Sequence, residues 1–339
     1  MRRIAEIGGP LALIAAVEIV ASFVSAARQL EFLDALVAVA MVVSLYVFVG
    51  NSGVLSFGQT SFVAVGAFAA GVMTAPTDSK AGQLPDLFPF LQDHSIANVP
   101  SLLLAAGIGA VYALLVGMPL MRLSGLAAGI ATFAVLGITH NVLRYWTKVG
   151  PAAQTLALVP ETTGVLQAAL GAMIAAVVAY GYQLSPMGRM LRATREDPAA
   201  AQAAGIDVHR QRLWAFALSG ALSGFAGGLL VHETGTITTE QVYLDLTFLT
   251  LAMLVIGGTY SLWGAVVGAL FVSGFNSFLG DAEDGLHVGF TIDLPSGTRV
   301  IVLGAVMSLM LLLRPLGITG GREFSFAWVG RLWRKEVRA

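Results

Sequence analysis

The feature that most constrains this chain is a series of apolar stretches, with almost all charged residues confined to the connections between them. A transmembrane helix needs about 20 apolar residues, and a charge at its centre costs about 2.5–3.5 kcal/mol. Several stretches are short, so the pattern predicts about eight to ten spans. The predicted fold is therefore an all-α polytopic membrane bundle, forming a single domain over residues 1–339. The candidate spans are 10–27, 33–50, 60–76, 99–121, 125–143, 162–184, 213–232, 246–257, 264–280 and 298–313.

Composition supports a membrane protein and excludes other classes. Charged residues make up 12% of the chain, whereas a soluble domain has about 25%, and the mean hydropathy is +0.79. The formal net charge of -1 leaves no basic face for binding nucleic acid. Cysteine is absent, and the five histidines are scattered without metal-ligand spacing, so we expect no metal site.

The distribution of Lys and Arg predicts which connections face the cytoplasm. The N-terminus, the connection 185–212 and the tail 314–339 are basic, so we expect all three on the cytoplasmic side of a bacterial inner membrane. The first stretch begins like a signal peptide, but Glu18 interrupts it, so we expect an uncleaved span. The acidic connections 77–98, 233–245 and 281–297 are expected outside. Ten alternating spans also place 144–161 outside, although it holds an arginine and a lysine.

Small residues recur at a spacing that suits close helix packing. Gly220, Gly224 and Gly228 repeat every four residues in one apolar stretch. Glycines at this spacing let helix backbones approach where lipid removes the hydrophobic driving force. We therefore expect this face to pack against another helix.

Two glycine-rich polar segments interrupt the apolar stretches: GNSGVLSFGQTSF from Gly50 and GGTYSLWG from Gly257. Irregular backbone at membrane depth is stable only where protein or a water-filled cavity satisfies it, and such interruptions mark transport sites in carriers. We therefore predict broken helices whose dipoles, without a fixed charge, line a substrate pathway. A tight turn at the membrane surface is the alternative interpretation of both segments. The predicted pathway residues are Asn51, Ser52, Ser56, Gln59, Tyr260 and Ser261.

The connection 185–212 carries the signature of a short exposed helix. Asp197 is a good N-cap, Pro198 suits the first helical position, and Gly205 suits the residue after the end. The alanine-rich segment between them is a strong helix former with a flat face that can dock in a groove of a partner. Flanking charges could orient that partner, and a solvated linker helix is the alternative. These flanking residues are Arg192, Arg195, Glu196 and Asp207.

Three stretches of the sequence, taken together, resemble permease subunits of bacterial ABC importers, specifically the branched-chain amino acid branch of the LivM type. They read GRMLRATREDPAAAQAAGIDVHRQRLWAFALSGALSGFAGGLL, NSGVLSFGQTSFVAVGAFAAGVM and LAMLVIGGTYSLWGAVVGALF. The first is similar to the family's cytoplasmic loop and following span, and the others to its N-terminal and C-terminal signatures. The resemblance extends over roughly residues 30 to 313.

This resemblance implies a transport subunit rather than an enzyme. It implies a second, homologous permease subunit in a heterodimer, two ATPase subunits, and a periplasmic or lipid-anchored substrate-binding protein. It also implies a coupling helix that docks on an ATPase, although Pro198 departs from the Glu-Ala-Ala of the wider importer pattern. The residues placed in or beside that helix are Arg192, Arg195, Glu196, Asp197, Ala200, Ala204 and Gly205.

ATP and Mg²⁺ are expected on the partner subunits, and no cofactor on this chain. A phosphate-binding loop needs GxxxxGK[ST], whereas none of the lysines, Lys80, Lys148 and Lys335, follows a glycine.

Three alternatives remain open from the sequence. A urea or short-amide permease would share the same fold. An ion-coupled secondary carrier would use an ionisable residue within the membrane, for which Glu18 is the candidate. An intramembrane serine protease would use the GxSG pattern around Ser52, with His140 or His232 as base. Short motifs of this kind discriminate weakly in a glycine-rich chain.

Overall fold

The computed structural model describes residues 2–283, 286–287, 291–292, 295, 297–314 and 316–324. Helices account for most of these residues. Their bounds are α1 (Arg2–Ser22), α2 (Ala26–Ser52), α3 (Gln59–Thr74), α4 (Thr77–Gln83), α5 (Pro89–Asp93), α6 (Asn98–Leu120), α7 (Gly125–Tyr145), α8 (Val165–Leu184), α9 (Pro186–Glu196), α10 (Pro198–Ala203), α11 (Val208–Thr234), α12 (Leu244–Gly257), α13 (Leu262–Glu283) and α14 (Thr298–Leu313). Strands β1 (Leu286–His287) and β2 (Thr291–Ile292) form a short antiparallel pair between α13 and α14.

Each predicted apolar stretch coincides with a helix, so the all-α polytopic bundle is confirmed. Within the described residues, six helices are long and apolar enough to cross a membrane, namely α2, α6, α7, α8, α11 and α13. The apolar helices α3 and α12 and the apolar part of α14 are shorter. The remaining stretch lies in α1, which has 21 residues and a proline inside it. The exact number of spans stays a prediction.

Helix α2 lies at the centre of the bundle. Every residue from Ala35 to Ser52 is buried, as expected for a helix that is apolar on all sides. It packs against α8, α11, α12 and α13, and Phe48 meets Phe216 of α11 edge to face at 5.0 Å. One buried helix therefore runs through the core from one end of the bundle to the other.

The glycines of α11 lie where this helix meets α6. A Cβ on Gly220 would lie 2.8 Å from the carbonyl oxygen of Gly109, and one on Gly224 would collide with the carbonyl oxygen of Ala105. A Cβ on Gly228 would lie 2.7 Å from a leucine side chain of α6. The two backbones approach so closely that larger residues would force them apart.

The connections gather at two opposite ends of the bundle. We call the end that holds α9 and α10 the loop end, and the other the far end. At the loop end, Arg212 donates to the carbonyl of Leu123 at 3.3 Å. At the far end, Leu156 and Ile237 form an isolated antiparallel bridge. Each contact joins two connections that the sequence places on the same side of the membrane. Both contacts therefore agree with the predicted alternation of the connections. Which end faces the cytoplasm stays a prediction.

The basic residues of the exceptional connection 144–161 have matching partners at the far end. Arg144 forms an ion pair with Glu240, which comes from the neighbouring connection. The Nζ atom of Lys148 lies 5.8 Å from the centroid of the Phe88 ring. The charge of Arg144 is thus neutralised locally, which explains how a connection that holds an arginine and a lysine can lie at this end.

Candidate translocation and coupling site

The first break separates α2 from α3 by six residues, 53–58. Gly53 ends α2 in the left-handed region, with a φ of 71°. A Cβ at this position would lie 2.6 Å from Cγ of Arg195. Backbone conformation and space therefore both require glycine here.

The polar side chains of the first break are buried. Asn51, Ser52, Ser56 and Gln59 are each at most 5% exposed. The Oγ atom of Ser52 accepts a hydrogen bond from the amide two residues on, at 3.1 Å. In contrast, Oδ1 of Asn51, Oγ of Ser56 and both polar atoms of Gln59 have no hydrogen-bond partner in the described residues. Leaving such atoms unpaired costs about 1–3 kcal/mol each, so this cluster contains polar atoms whose hydrogen bonds the described residues do not supply.

The second break separates α12 from α13 at residues 258–261. Ser261 is fully buried, and its Oγ accepts from the amide of Gly264 at 2.9 Å, as an N-cap does. Tyr260 is 44% exposed and faces the loop end. Ser261 therefore has a structural partner, whereas Tyr260 is accessible.

Residues 316–324 fold back and close the second break. The amides of Ile318 and Thr319 donate to the carbonyls of Ile256 and Gly257, at 2.8 and 3.1 Å. The Glu323 carboxylate accepts from the amides of the first two residues of α13, at 3.0 and 3.2 Å. A carboxylate at a helix N-terminus satisfies free amides and complements the helix dipole. This part of the predicted cytoplasmic tail is thus built into the bundle.

The two breaks meet, and Arg195 of α9 contacts both. A Cβ on Gly50 would lie 2.7 Å from the carbonyl oxygen of Thr259. Nη1 of Arg195 donates to the carbonyl of Gly50 at 2.7 Å, and its guanidinium lies 4.7 Å from the centroid of the Tyr260 ring. Nη2 of Arg195 also pairs with Glu196 at 2.6 Å. A cavity of about 410 Å³ lies beside this contact, lined by Arg195, Glu196, Tyr260, Leu316, Gly320 and Gly321.

Helix α10 is a short, capped and exposed element. Asp197 accepts hydrogen bonds from the amides two and three residues on, at 2.9 and 3.0 Å. Gly205 has a φ of 83°, and the amide of Ile206 donates back to the carbonyl of Ala201 at 3.0 Å, which closes the helix end. Ala201 is the only buried residue of the helix. The positions predicted to dock, including Ala200 and Ala204, are exposed.

Arg192 and Arg195 of α9 point into the chain, which differs from the expectation that they face a partner. Nη2 of Arg192 donates to the carbonyl of Gln183 at 2.6 Å, as Arg195 does to that of Gly50. Both carbonyls lie in the last turn of a helix, where they have no partner within that helix. The negative end of the helix dipole attracts cations there, which explains the inward orientation.

Comparison with known proteins identifies the family. The family described as branched-chain amino acid transport system / permease component matches residues 32–311. This chain belongs to that permease family. It is 24% identical over 308 residues to the high-affinity branched-chain amino acid transport system permease protein LivM of Salmonella typhimurium, covering 81% of this chain and 65% of that protein. No solved structure matches the chain.

Two other relatives match shorter segments of this permease. It is 35% identical over 140 residues to the probable branched-chain amino acid transport permease protein LivH of Methanocaldococcus jannaschii, covering 39% of this chain and 40% of that protein. It is 29% identical over 161 residues to the autoinducer 2 import system permease protein LsrC of Klebsiella pneumoniae, covering 44% and 47%. The chain therefore spans less than two thirds of the length of these curated relatives.

The geometry gives no support to the protease alternative in this permease. His232 lies at the far end, where its ring nitrogens contact Ser101 Oγ at 2.9 Å and the carbonyl of Pro160 at 3.2 Å. His140 stacks on Tyr243 with ring centroids 4.0 Å apart. Ser52, in contrast, lies at the loop end and caps a turn. The family is one of transport subunits, not of hydrolases.

Sequence reasoning missed a polar network beneath the second break. Nε2 of Gln183 donates to Glu323 at 3.0 Å, and the hydroxyl of Tyr46 donates to Oε1 of Gln183 at 3.3 Å. A polar side chain in an apolar stretch signals a partner inside the bundle, so Gln183 and Tyr46 could have been singled out. Glu323 lies among the charged residues of the tail and carries no such signal.

Proposed function

We propose that this permease is the membrane-spanning subunit of an ABC importer for branched-chain or other hydrophobic amino acids. The family match and the relatives named LivM and LivH support this cargo class. In this proposal the chain pairs with a second, homologous permease and works with two ATPase subunits and a periplasmic or lipid-anchored binding protein. Both termini lie in the cytoplasm. ATP and Mg²⁺ bind to the ATPase subunits, and this chain binds no cofactor.

The contact of Arg195 with both breaks is the observation that carries the proposal. Helix α10 presents an exposed alanine face to an ATPase subunit, and α9 connects it to the bundle. When the ATPases close and shift α10, α9 moves with it. Arg195 then displaces the carbonyl of Gly50 and the ring of Tyr260 together. One loop movement is thereby converted into a change at both breaks, which alternates access to the pathway.

The first break supplies the groups for cargo in this mechanism. Asn51, Ser56 and Gln59 hold unpaired donors and acceptors in a buried site. They can bind a zwitterion through dipoles, and the lack of a fixed charge avoids trapping it. Ser52 and Ser261 cap neighbouring backbone instead, so they shape the pathway and bind cargo less directly. Tyr260 lines its loop-end mouth.

Reconstitution tests this function. The permease is assembled with its partner subunits in proteoliposomes, and uptake of labelled L-leucine is measured with ATP and the binding protein. We expect uptake that requires ATP hydrolysis and stops when the ATPase subunits are inactivated. Labelled urea serves as the alternative cargo, and its uptake in place of leucine would overturn the cargo class. Uptake driven by a proton or sodium gradient without ATP would overturn the ABC mechanism and favour a secondary carrier.

A further inference from the structure

A cavity at the far end of the bundle is lined by three acidic side chains that neither break uses, Glu31, Asp34 and Glu233. It has a volume of about 190 Å³ and lies between α2, α11, α12 and α13. Asp34, near the start of α2, and Glu233, near the end of α11, both line it. We call it the far-end cavity. Asp34 and Asn51 are both on α2, separated by about 26 Å at 1.5 Å per residue, so this cavity is distinct from the first break.

Glu233 lacks the partner that a buried carboxylate needs. Both of its carboxyl oxygens are buried, and its carboxyl lies close enough to that of Asp34 for the two to interact. Apart from a proton shared with Asp34, neither oxygen has a hydrogen-bond donor in the described residues. Asp34 is exposed and Glu233 is partly buried, and two carboxyl groups this close can both be charged only at a cost in free energy. A cation placed between the two acids would remove that cost.

Ser273 of α13 presents a hydroxyl to the same cavity. It is 8% exposed and lines the far-end cavity, yet no hydrogen bond joins its hydroxyl to any described residue. A helical serine or threonine usually bonds the carbonyl four residues back. Thr250, on the α12 wall, does so, with its Oγ1 2.8 Å from the carbonyl oxygen of Leu246. The hydroxyl of Ser273 is therefore available to a ligand in this cavity.

The lining selects the class of that ligand. Glu31, Asp34, Glu233 and Ser273 offer acceptors, and the rest of the wall is apolar, including Val37 and Leu230, apart from Thr250, Asn276 and Ser277. In the described part of the chain, no group of three or more His, Cys, Asp or Glu residues could hold a metal ion. A primary ammonium carries three donors and no acceptor, which suits a lining rich in carboxylate and hydroxyl acceptors.

We propose that the far-end cavity binds a primary ammonium group that carries a short aliphatic chain. Asp34, Glu233 and Ser273 accept its three N–H groups, and the apolar wall takes the chain. This inference deepens the proposed function and rests on it in one respect, because the amino group of a branched-chain amino acid is such an ammonium. With the far end outside, as the sequence predicts, the cavity is the first site that cargo meets.

Calorimetric titration of the purified full-length chain in detergent tests the site directly. The probe is 3-methylbutylammonium, and the uncharged isostere 3-methylbutan-1-ol is the control ligand. We expect the ammonium to bind at least tenfold more tightly than the alcohol, because hydrogen bonds to charged groups contribute that much. Asp34→Asn and Glu233→Gln should each raise its Kd about tenfold or more. Asp245→Asn, which removes an exposed acid at the same end, should leave it unchanged.

Equal binding of alcohol and ammonium, or an unchanged Kd in both carboxamide variants, would overturn the site. If neither carboxamide variant folds, Ser273→Ala decides the question, and an unchanged Kd in that variant would also overturn it. Uptake of L-leucine by the full assembly separates this inference from the proposed function. If the ammonium binds but leucine is not taken up, the proposed site stands and the proposed cargo class is refuted. If leucine is taken up with the same KM in wild type, D34N and E233Q, the proposed function stands and the proposed site in the far-end cavity is refuted.

Discussion

Replacing Arg195 tests the proposed mechanical link between α10 and the two breaks. Arg195→Ala removes the hydrogen bond to the Gly50 carbonyl at 2.7 Å and the contact with the Tyr260 ring. A hydrogen bond from a charged group contributes about 1.5–3 kcal/mol, and a cation–π contact at least about 0.5 kcal/mol. The side chain is 22% exposed, so solvent screening favours the lower end, about 2 kcal/mol, or about thirtyfold.

The assay compares leucine uptake with ATP hydrolysis in the same proteoliposomes. Because the guanidinium points into the bundle and α10 is left intact, Arg195→Ala should still bind the ATPase subunits and hydrolyse ATP. Uptake per ATP hydrolysed should fall about thirtyfold, and Arg195→Lys should recover part of it, since lysine keeps the charge but not the planar stacking. Arg189→Ala, an exposed arginine on the same helix, is the matched control. Unchanged coupling in Arg195→Ala, or complete loss of ATPase binding, would refute this reasoning.

Three further predictions concern local structure. Asp197→Ala removes the cap of α10 and costs about 1 kcal/mol, so ATPase affinity should fall about fivefold in a pull-down titration; unchanged affinity would mean that α10 does not dock. Gly224→Ala drives a methyl group into the α6 backbone and should lower thermal stability in detergent by about 1–3 kcal/mol, whereas Gly181→Ala, with open space around it, should not; equal effects would contradict the packing. Glu323→Gln weakens the cap of α13 by about 1 kcal/mol, seen as faster amide hydrogen exchange at Leu262, while the exposed Arg322→Gln leaves exchange unchanged; matching rates would argue against the cap.

Local patterns were enough to predict the apolar helices, the two breaks and the short helix α10. Apolar runs of membrane length determine helices because the bilayer leaves backbone groups no other partner. The ends of α10 follow from Asp197 and Gly205, whose preferences act within a few residues. The break after α2 follows in the same way from glycines and polar side chains that are adjacent in sequence.

Contacts between distant segments could not be predicted in this way. The approach of Gly50 to Thr259, and the reach of Arg195 to both, depend on how α2, α9 and α12 pack, which no local pattern contains. The pairing of Asp34 with Glu233 joins residues about 200 positions apart, and each sits at a span end where acids are expected. Single-residue roles were therefore the weakest part of the sequence-based interpretation.

The fold-back of residues 316–324 has a consequence for biogenesis. Glu323 supplies the acceptor for the first amides of α13, yet it is translated some 60 residues later. Helices α12 and α13 are therefore synthesised before the acceptor at their junction exists. The loop end thus matures only after residues 316–324 have been synthesised, and a stop codon just before Glu323 would leave the first amides of α13 without this acceptor.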